Sequence, residues 1–231
     1  ALGNVSFENC EGQGPEEGQY LESMVQLLRS PALSDVAFYS VDFTTTLSQA
    51  LAEALEQRSG ITDLRFIGCS FPVGGDSAIA SALTTNATLK RLGFIGASTR
   101  FDDKIFYDVL ATVLLSNSTL QELAFSVPGW KRSWLPPLFL ALQVNTRLKE
   151  LRIRFSSISL NNDATPDFVR DASLTHIDEK LSTSMRFGLG ENSTLESLQL
   201  SNIKSDGNDT SLWREAFTFL RTNTSLKALH M

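Results

Sequence analysis

Histidine and cysteine are nearly missing from this chain, with two of each in 231 residues. Neither His176 nor His230 falls in a His-Glu-x-x-His pattern, and there is no Cys-x-x-Cys pair, so the spacings of a zinc site are absent. His176, close to Asp178 and Glu179, reads as part of a solvated charge cluster. The glycines of Gly12-Gln-Gly14 and Gly74-Gly75-Asp76 have no following Lys-Ser/Thr and no complete dinucleotide fingerprint, so they read as turns. Positive charge is scarce too: 20 Lys and Arg stand against 26 Asp and Glu, a formal net charge of −6. No basic block is dense enough to follow a phosphate backbone, which excludes nucleic acid as the expected partner. No apolar run approaches the length of a membrane span, and the N-terminus shows no basic stretch followed by an apolar core. The expectation is a non-enzyme with no cofactor, no metal and no small-molecule substrate.

What the chain has in abundance is one phrase, Leu-x-x-Leu-x-Phe/Ile/Leu. It occurs as Leu2/Val5/Phe7, Leu33/Val36/Phe38, Ile61/Leu64/Phe66, Leu89/Leu92/Phe94, Leu120/Leu123/Phe125, Leu148/Leu151/Ile153, Leu195/Leu198/Leu200 and Leu226/Leu229/Met231. Successive copies begin 31, 28, 28, 31, 28, 47 and 31 residues apart. A near-fixed period of this length is the mark of a solenoid. The phrase is too short for a helix, and its last two apolar residues are two apart, which suits a short strand with alternating faces.

Between phrases the spacing turns helical. Counted back from the next phrase, apolar residues fall near −14, −10, −7 and −6: Leu47, Leu51, Ala54 and Leu55 in the second repeat, Phe106, Leu110, Val113 and Leu114 in the fourth. The fifth has Trp134, Leu138, Ala141 and Leu142, and the seventh Leu212, Ala216, Phe219 and Leu220. These offsets lie on one face of an α-helix. Each repeat therefore reads as strand, turn, helix, turn. Five repeats end on an asparagine three residues before the phrase: Asn86, Asn117, Asn145, Asn192 and Asn223. Asn tolerates the left-handed conformation that closes helices, so these residues are expected to be left-handed helix stops at which glycine is tolerated.

With these features in place, the chain resembles the leucine-rich repeat family in its ribonuclease-inhibitor-like subtype, across essentially all its length. The family often places Asn or Cys three positions after the phrase, where Cys10 and Cys69 stand here. The resemblance implies an α/β solenoid, a horseshoe with a parallel sheet on its concave face and helices on its convex face. One leucine-rich repeat domain is expected over 1–231, with an insertion at about 156–175 accounting for the 47-residue step. Since the chain opens within the first phrase and stops at Met231 inside the last, it is expected to be a window from a longer solenoid.

Cys10 and Cys69 occupy equivalent slots two stacking steps apart, about 10 Å. A disulfide requires Cα atoms within about 7 Å, so both are expected to be free, favouring a reducing, cytoplasmic setting. Six Asn-x-Ser/Thr tripeptides, at Asn4, Asn86, Asn117, Asn192, Asn208 and Asn223, point the opposite way, towards a glycosylated extracellular recognition domain.

The functional expectation comes from the alternation within the strands. Residues one, four and six of the phrase face the core, so three, five and seven line the open face of the sheet. Tyr39, Ile67 and Ile95 hold the seventh position in consecutive repeats and should form one exposed apolar row, beside the small residues Ala37 and Gly93. Arg91, between Asp63 and Glu122, is expected to be held in place, and Arg65 to be freer to bind. Arg152 and Arg154 share a repeat with Phe155, an arginine and aromatic grouping typical of interaction hot spots. A second segment, Pro128 to Trp134, includes Trp130, Lys131 and Arg132. The expected protein-binding residues are thus Tyr39, Arg65, Ile67, Ile95, Arg152, Arg154 and Phe155, and the expected role is a scaffold-like protein-interaction module. A domain that regulates an enzyme such as a small GTPase is the alternative.

Overall fold

The computed structural model of the 231-residue chain describes residues 3–8, 17–30, 32–57, 60–72, 75–95, 104–128, 134–156, 179–202 and 210–231. Contacts divide the chain into two compact segments, Ala1–Leu123 and Ala124–Met231. The first carries β1 (Asn4–Glu8), α1 (Glu17–Leu28), β2 (Asp35–Tyr39), α2 (Thr45–Glu56), β3 (Asp63–Ile67), α3 (Gly75–Thr85), β4 (Arg91–Ile95) and α4 (Lys104–Ser116). The second carries β5 (Glu122–Pro128, beginning at the boundary), α5 (Pro136–Val144), β6 (Glu150–Ser156), α6 (Glu179–Glu191), β7 (Ser197–Ser201), α7 (Thr210–Ala216) and β8 (Ala228–His230). A 3-10 turn, Phe217–Arg221, continues α7.

Every phrase carries a strand, and within each segment the strands follow sequence order, β1 to β4 and β5 to β8. In the first segment the pairing is parallel and in step with the repeat: Phe7 is beside Phe38, Phe38 beside Phe66, and Phe66 beside Phe94. The second keeps the same register from Leu151 to Leu198 and from Leu198 to Leu229. A one-residue slip would turn every core side chain outward, so the alternation of the phrase fixes this register. Strand exits turn sharply: Ser40, Gly68 and Asn202, each the residue after its strand, have φ of 51°, 66° and 60°. Immediately after Gly68, in the expected slot, Cys69 is buried, its thiol donating to the Phe38 carbonyl at 3.3 Å. Cys10 lies outside the described residues.

The helical offsets are buried where the α-helix is regular. Leu47, Leu51, Ala54 and Leu55 of α2 are in the core, as are Leu110, Val113 and Leu114 of α4 and Leu138, Ala141 and Leu142 of α5. The seventh repeat departs from the expectation: Trp213 is buried and Leu212 half-buried, and Leu220 is 48% exposed. Its last turn is 3-10, which advances about 120° per residue instead of 100°, so the face rotates away from the −6 position. Trp134 is half-buried because α5 begins two residues later, at Pro136. The extra length of the sixth repeat falls between β6 and α6, in residues 157–178, outside those described; α6 nevertheless packs directly on α5.

Phenylalanines fill the core of the first segment. Phe7, Phe38, Phe66 and Phe94 form a stack with centroids 5.0, 5.5 and 4.9 Å apart and planes within 17° of parallel. Phe43 and Phe71, five residues after Phe38 and Phe66, stack on each other at 4.5 Å and meet the first column edge-on. Stacked and edge-on pairs each add roughly 0.5–1.5 kcal/mol to burial. Phe66→Leu keeps most of the volume and loses four ring contacts, so it should lower stability by about 2 kcal/mol, read as a drop in the urea midpoint. An unchanged midpoint would show that the column acts by volume alone.

The repeat asparagines are not left-handed helix stops, and this expectation is corrected. Asn145 has φ −71° and ψ 126°, and among the described residues Ser40 and Asn202 are the non-glycine residues with positive φ. The side chain does the work instead. Asn117 Oδ1 accepts from the amides of Thr119 and Leu120 at 2.9 and 2.8 Å, while Nδ2 donates to the carbonyls of Leu83 and Asn86 at 2.9 and 2.8 Å. Asn86 repeats the pattern toward Leu55, Asn192 toward Leu142 and Asn145, and Asn223 toward Leu189 and Asn192. Asn86, Asn117, Asn145 and Asn192 are buried. The result is a ladder in which one side chain closes its own turn and ties it to the repeat before.

Candidate functional site

The open face of β2, β3 and β4 is built by register. Tyr39, Ile67 and Ile95 are direct neighbours across the three strands, as their shared phrase position requires. All three are half-buried, so the row is less exposed than expected. Part of the cover comes from within the sheet, because each branched or aromatic side chain leans on the next at a strand spacing of about 4.8 Å.

Arg65 is where the expectation fails most clearly. It is not free: its Nη2 donates to both carboxylate oxygens of Asp35 at 2.8 and 3.1 Å. That hydrogen bond, opposed by partial desolvation and aided by the charge of Asp35, pushes the guanidinium pKa above its ordinary value. The reason lies in its neighbours. Arg65 sits in register between Ala37 and Gly93, neither of which has a side chain that would hold it upright. Its stem lies over the sheet, 3.4 Å from where a Cβ of Gly93 would be, and the head group reaches diagonally back to Asp35. Ala37 and Gly93 are buried in consequence.

Arg91 is held as expected. Its Nε and Nη2 donate to the two oxygens of Asp63, a largely buried carboxylate, and Glu122 adds a further attraction. The hydrogen bond to Asp63 is the main cause of its raised pKa. The site is therefore an apolar row bordered on one side by two arginine–carboxylate pairs, each linking adjacent strands; Arg91 with Asp63 is a two-nitrogen fork, and Arg65 holds Asp35 through one nitrogen. A fork fixes both the plane and the position of its guanidinium.

The second group does not assemble as expected. Phe155 is 3% exposed and belongs to the core, a correction to its assignment as a contact residue. β6 runs to Ser156, so the alternation continues past the phrase and sends Phe155 to the side of Leu151 and Ile153. Val127 is buried in β5 for the same reason. Arg152 and Arg154 are exposed on the opposite face. Arg152 Nε donates to Glu150 Oε1 at 2.6 Å, and Arg154 makes no ion pair among the described residues. Arg152 neighbours Gln199, which in turn neighbours His230, so this face of the second segment is polar. Trp130, Lys131 and Arg132 lie outside the described residues.

Among the described residues, no three His, Cys, Asp or Glu side chains gather as metal ligands, and no helix is long and apolar enough to cross a membrane. In-step parallel strands, a helix in each repeat and a buried asparagine ladder define a leucine-rich-repeat-like α/β array within each segment. Solved structures similar to the chain include two of low sequence identity. One is the tropomodulin C-terminal domain from Caenorhabditis elegans, with a TM-score of 0.47 and 11% identity over 88% of this chain and 92% of that one. The other is the leiomodin-1 actin-binding site 2, with a TM-score of 0.39 and 18% identity over 91% and 94%. No family model and no curated protein matches the sequence. The fold reading rests on the register and ladder of the chain itself.

Proposed function

We propose that this chain is a ribonuclease-inhibitor-like leucine-rich repeat module, curved as a horseshoe, whose concave sheet face binds a protein partner and performs no chemistry of its own. The observation that carries the reading is the register-aligned row Tyr39, Ile67 and Ile95, with the ion pairs of Arg65 with Asp35 and Arg91 with Asp63 along one side of it. An apolar strip whose surrounding charges are already neutralised can be covered by a partner without stranding a charge, and such central apolar patches with polar borders carry most of the energy in protein interfaces. Arg65 and Arg91 act by holding the border flat. Arg152 and Arg154 form a separate polar region.

A photoreactive benzoyl-phenylalanine in place of Tyr39, in cells that express the chain naturally, tests this. One dominant protein adduct is expected from position 39, and none from the exposed Thr112 on α4. Ile67→Glu with Ile95→Glu should remove the adduct while costing about 1 kcal/mol per half-buried site, so the chain stays folded. Equal adducts from positions 39 and 112, or an adduct that survives the double substitution in a folded chain, would remove this face as the binding surface.

A further inference from the structure

We infer that this chain completes its folding in a compartment without asparagine-linked oligosaccharide transfer, because the nitrogen such a transfer modifies is used four times as a structural donor. Asn86-Ala-Thr88, Asn117-Ser-Thr119, Asn192-Ser-Thr194 and Asn223-Thr-Ser225 all match the acceptor tripeptide. In each, Nδ2 donates to a backbone carbonyl of the preceding repeat: 2.7 Å to Leu55 from Asn86, 2.9 Å to Leu83 from Asn117, 2.6 Å to Leu142 from Asn192 and 2.7 Å to Leu189 from Asn223. Asn117, Asn192 and Asn223 each donate to a second carbonyl as well.

Transfer would join this nitrogen to the anomeric carbon of a lipid-pyrophosphate-linked sugar. The lipid pyrophosphate leaves with the bonding pair, and the amide loses one proton. One N–H remains where the ladder uses two, and a sugar occupies the space of the neighbouring repeat's backbone. Burial in the finished fold gives no protection, since the transferase meets the chain while it is still extended. Glycan and ladder are therefore mutually exclusive at each of these positions, and whichever forms first decides the fate of the repeat.

The hydroxyl residues of the tripeptides have their own place in the ladder. Thr119 Oγ1 donates to Asn117 Oδ1 at 3.2 Å, Thr194 Oγ1 to the Asn145 carbonyl at 3.3 Å, and Ser225 Oγ to the Leu195 carbonyl at 2.9 Å. Thr88 Oγ1 accepts from Asn86 Nδ2 at 3.3 Å. The match to the acceptor tripeptide thus follows from hydrogen bonding. Asn4, exposed on β1, is the contrasting case, where a glycan would meet solvent.

The test expresses the chain in eukaryotic cells with and without an added cleavable secretory leader. Occupancy of each asparagine is read by mass spectrometry and folding by limited proteolysis. With the leader, glycans are expected on Asn86, Asn117, Asn192 and Asn223, with about tenfold less protease-resistant protein than from the leaderless chain. Blocking synthesis of the lipid-linked donor should restore resistance without any change in sequence. Thr88→Val, Thr119→Val, Thr194→Val and Ser225→Ala together should restore it too, provided the leaderless version of that variant folds. Folded protein from the leader-bearing chain, with these sites either filled or empty, would overturn the inference. Misfolding that persists when transfer is blocked would also overturn it.

Discussion

Asn117→Asp should lower stability by about 4 kcal/mol at neutral pH, although it changes one NH2 group to an oxygen. The two acceptor bonds from Thr119 and Leu120 can survive. The carbonyls of Leu83 and Asn86 lose their donor and instead face a carboxylate oxygen in a site that is 6% exposed. Two unpaired carbonyls cost roughly 1–3 kcal/mol each, and a buried charge without a partner adds to that. The new carboxyl is better accommodated protonated, so its folded pKa lies above the unfolded value of about 3.9. Its deficit against the parent is then smallest below that value and grows as pH rises through the folded pKa. Urea midpoints at acid and neutral pH would show this. Asn117→Gly should also be strongly destabilising, since it removes five hydrogen bonds; a glycine variant as stable as the parent would return Asn117 to the role of a helix stop.

Gly188→Ala should cost about 3–4 kcal/mol even though alanine is the better helix former. A Cβ at this point of α6 would overlap the carbonyl oxygen of Phe139 in α5, and both partners in that contact are backbone. Relief requires α6 to move away from α5, opening the most closely packed helix pair in the second segment. Gly190 is the control. A Cβ there meets Thr222 Oγ1 at 2.9 Å, a side-chain atom that can rotate aside, so Gly190→Ala should fall within about 1 kcal/mol of the parent. Equal losses at 188 and 190 by thermal denaturation would show that the contact with Phe139 does not control the packing.

The strands were legible in the sequence because their signal is local: a two-residue alternation repeated in step marks both the elements and the columns they form. Tyr39, Ile67 and Ile95 could be aligned from phrase position alone, and Arg91 could be paired from the charges flanking it in its column. Arg65 could not, because its partner is diagonal and is reached only by lying across Ala37 and Gly93. Phe155 lies beyond the last phrase residue, Ile153, so phrase position does not assign it a face; β6 continues three residues further, to Ser156, and its alternation carries Phe155 into the core. The asparagines were recognised as special for the wrong reason. Their acceptors Leu83, Asn86, Leu142 and Leu189 lie about 30 to 50 residues away, so no single repeat contains both ends of the bond.

The asparagine bonds also have a direction. Asn86, Asn117, Asn192 and Asn223 each spend their oxygen at home and their nitrogen on the repeat before. A repeat that has just been made offers bare carbonyls, which water can serve until the next one arrives. A repeat made without its predecessor would instead hold an amide with nowhere to donate. Synthesis from the N-terminus supplies acceptors ahead of donors, so the order in which the ribosome releases the repeats is the order in which their bonds can close.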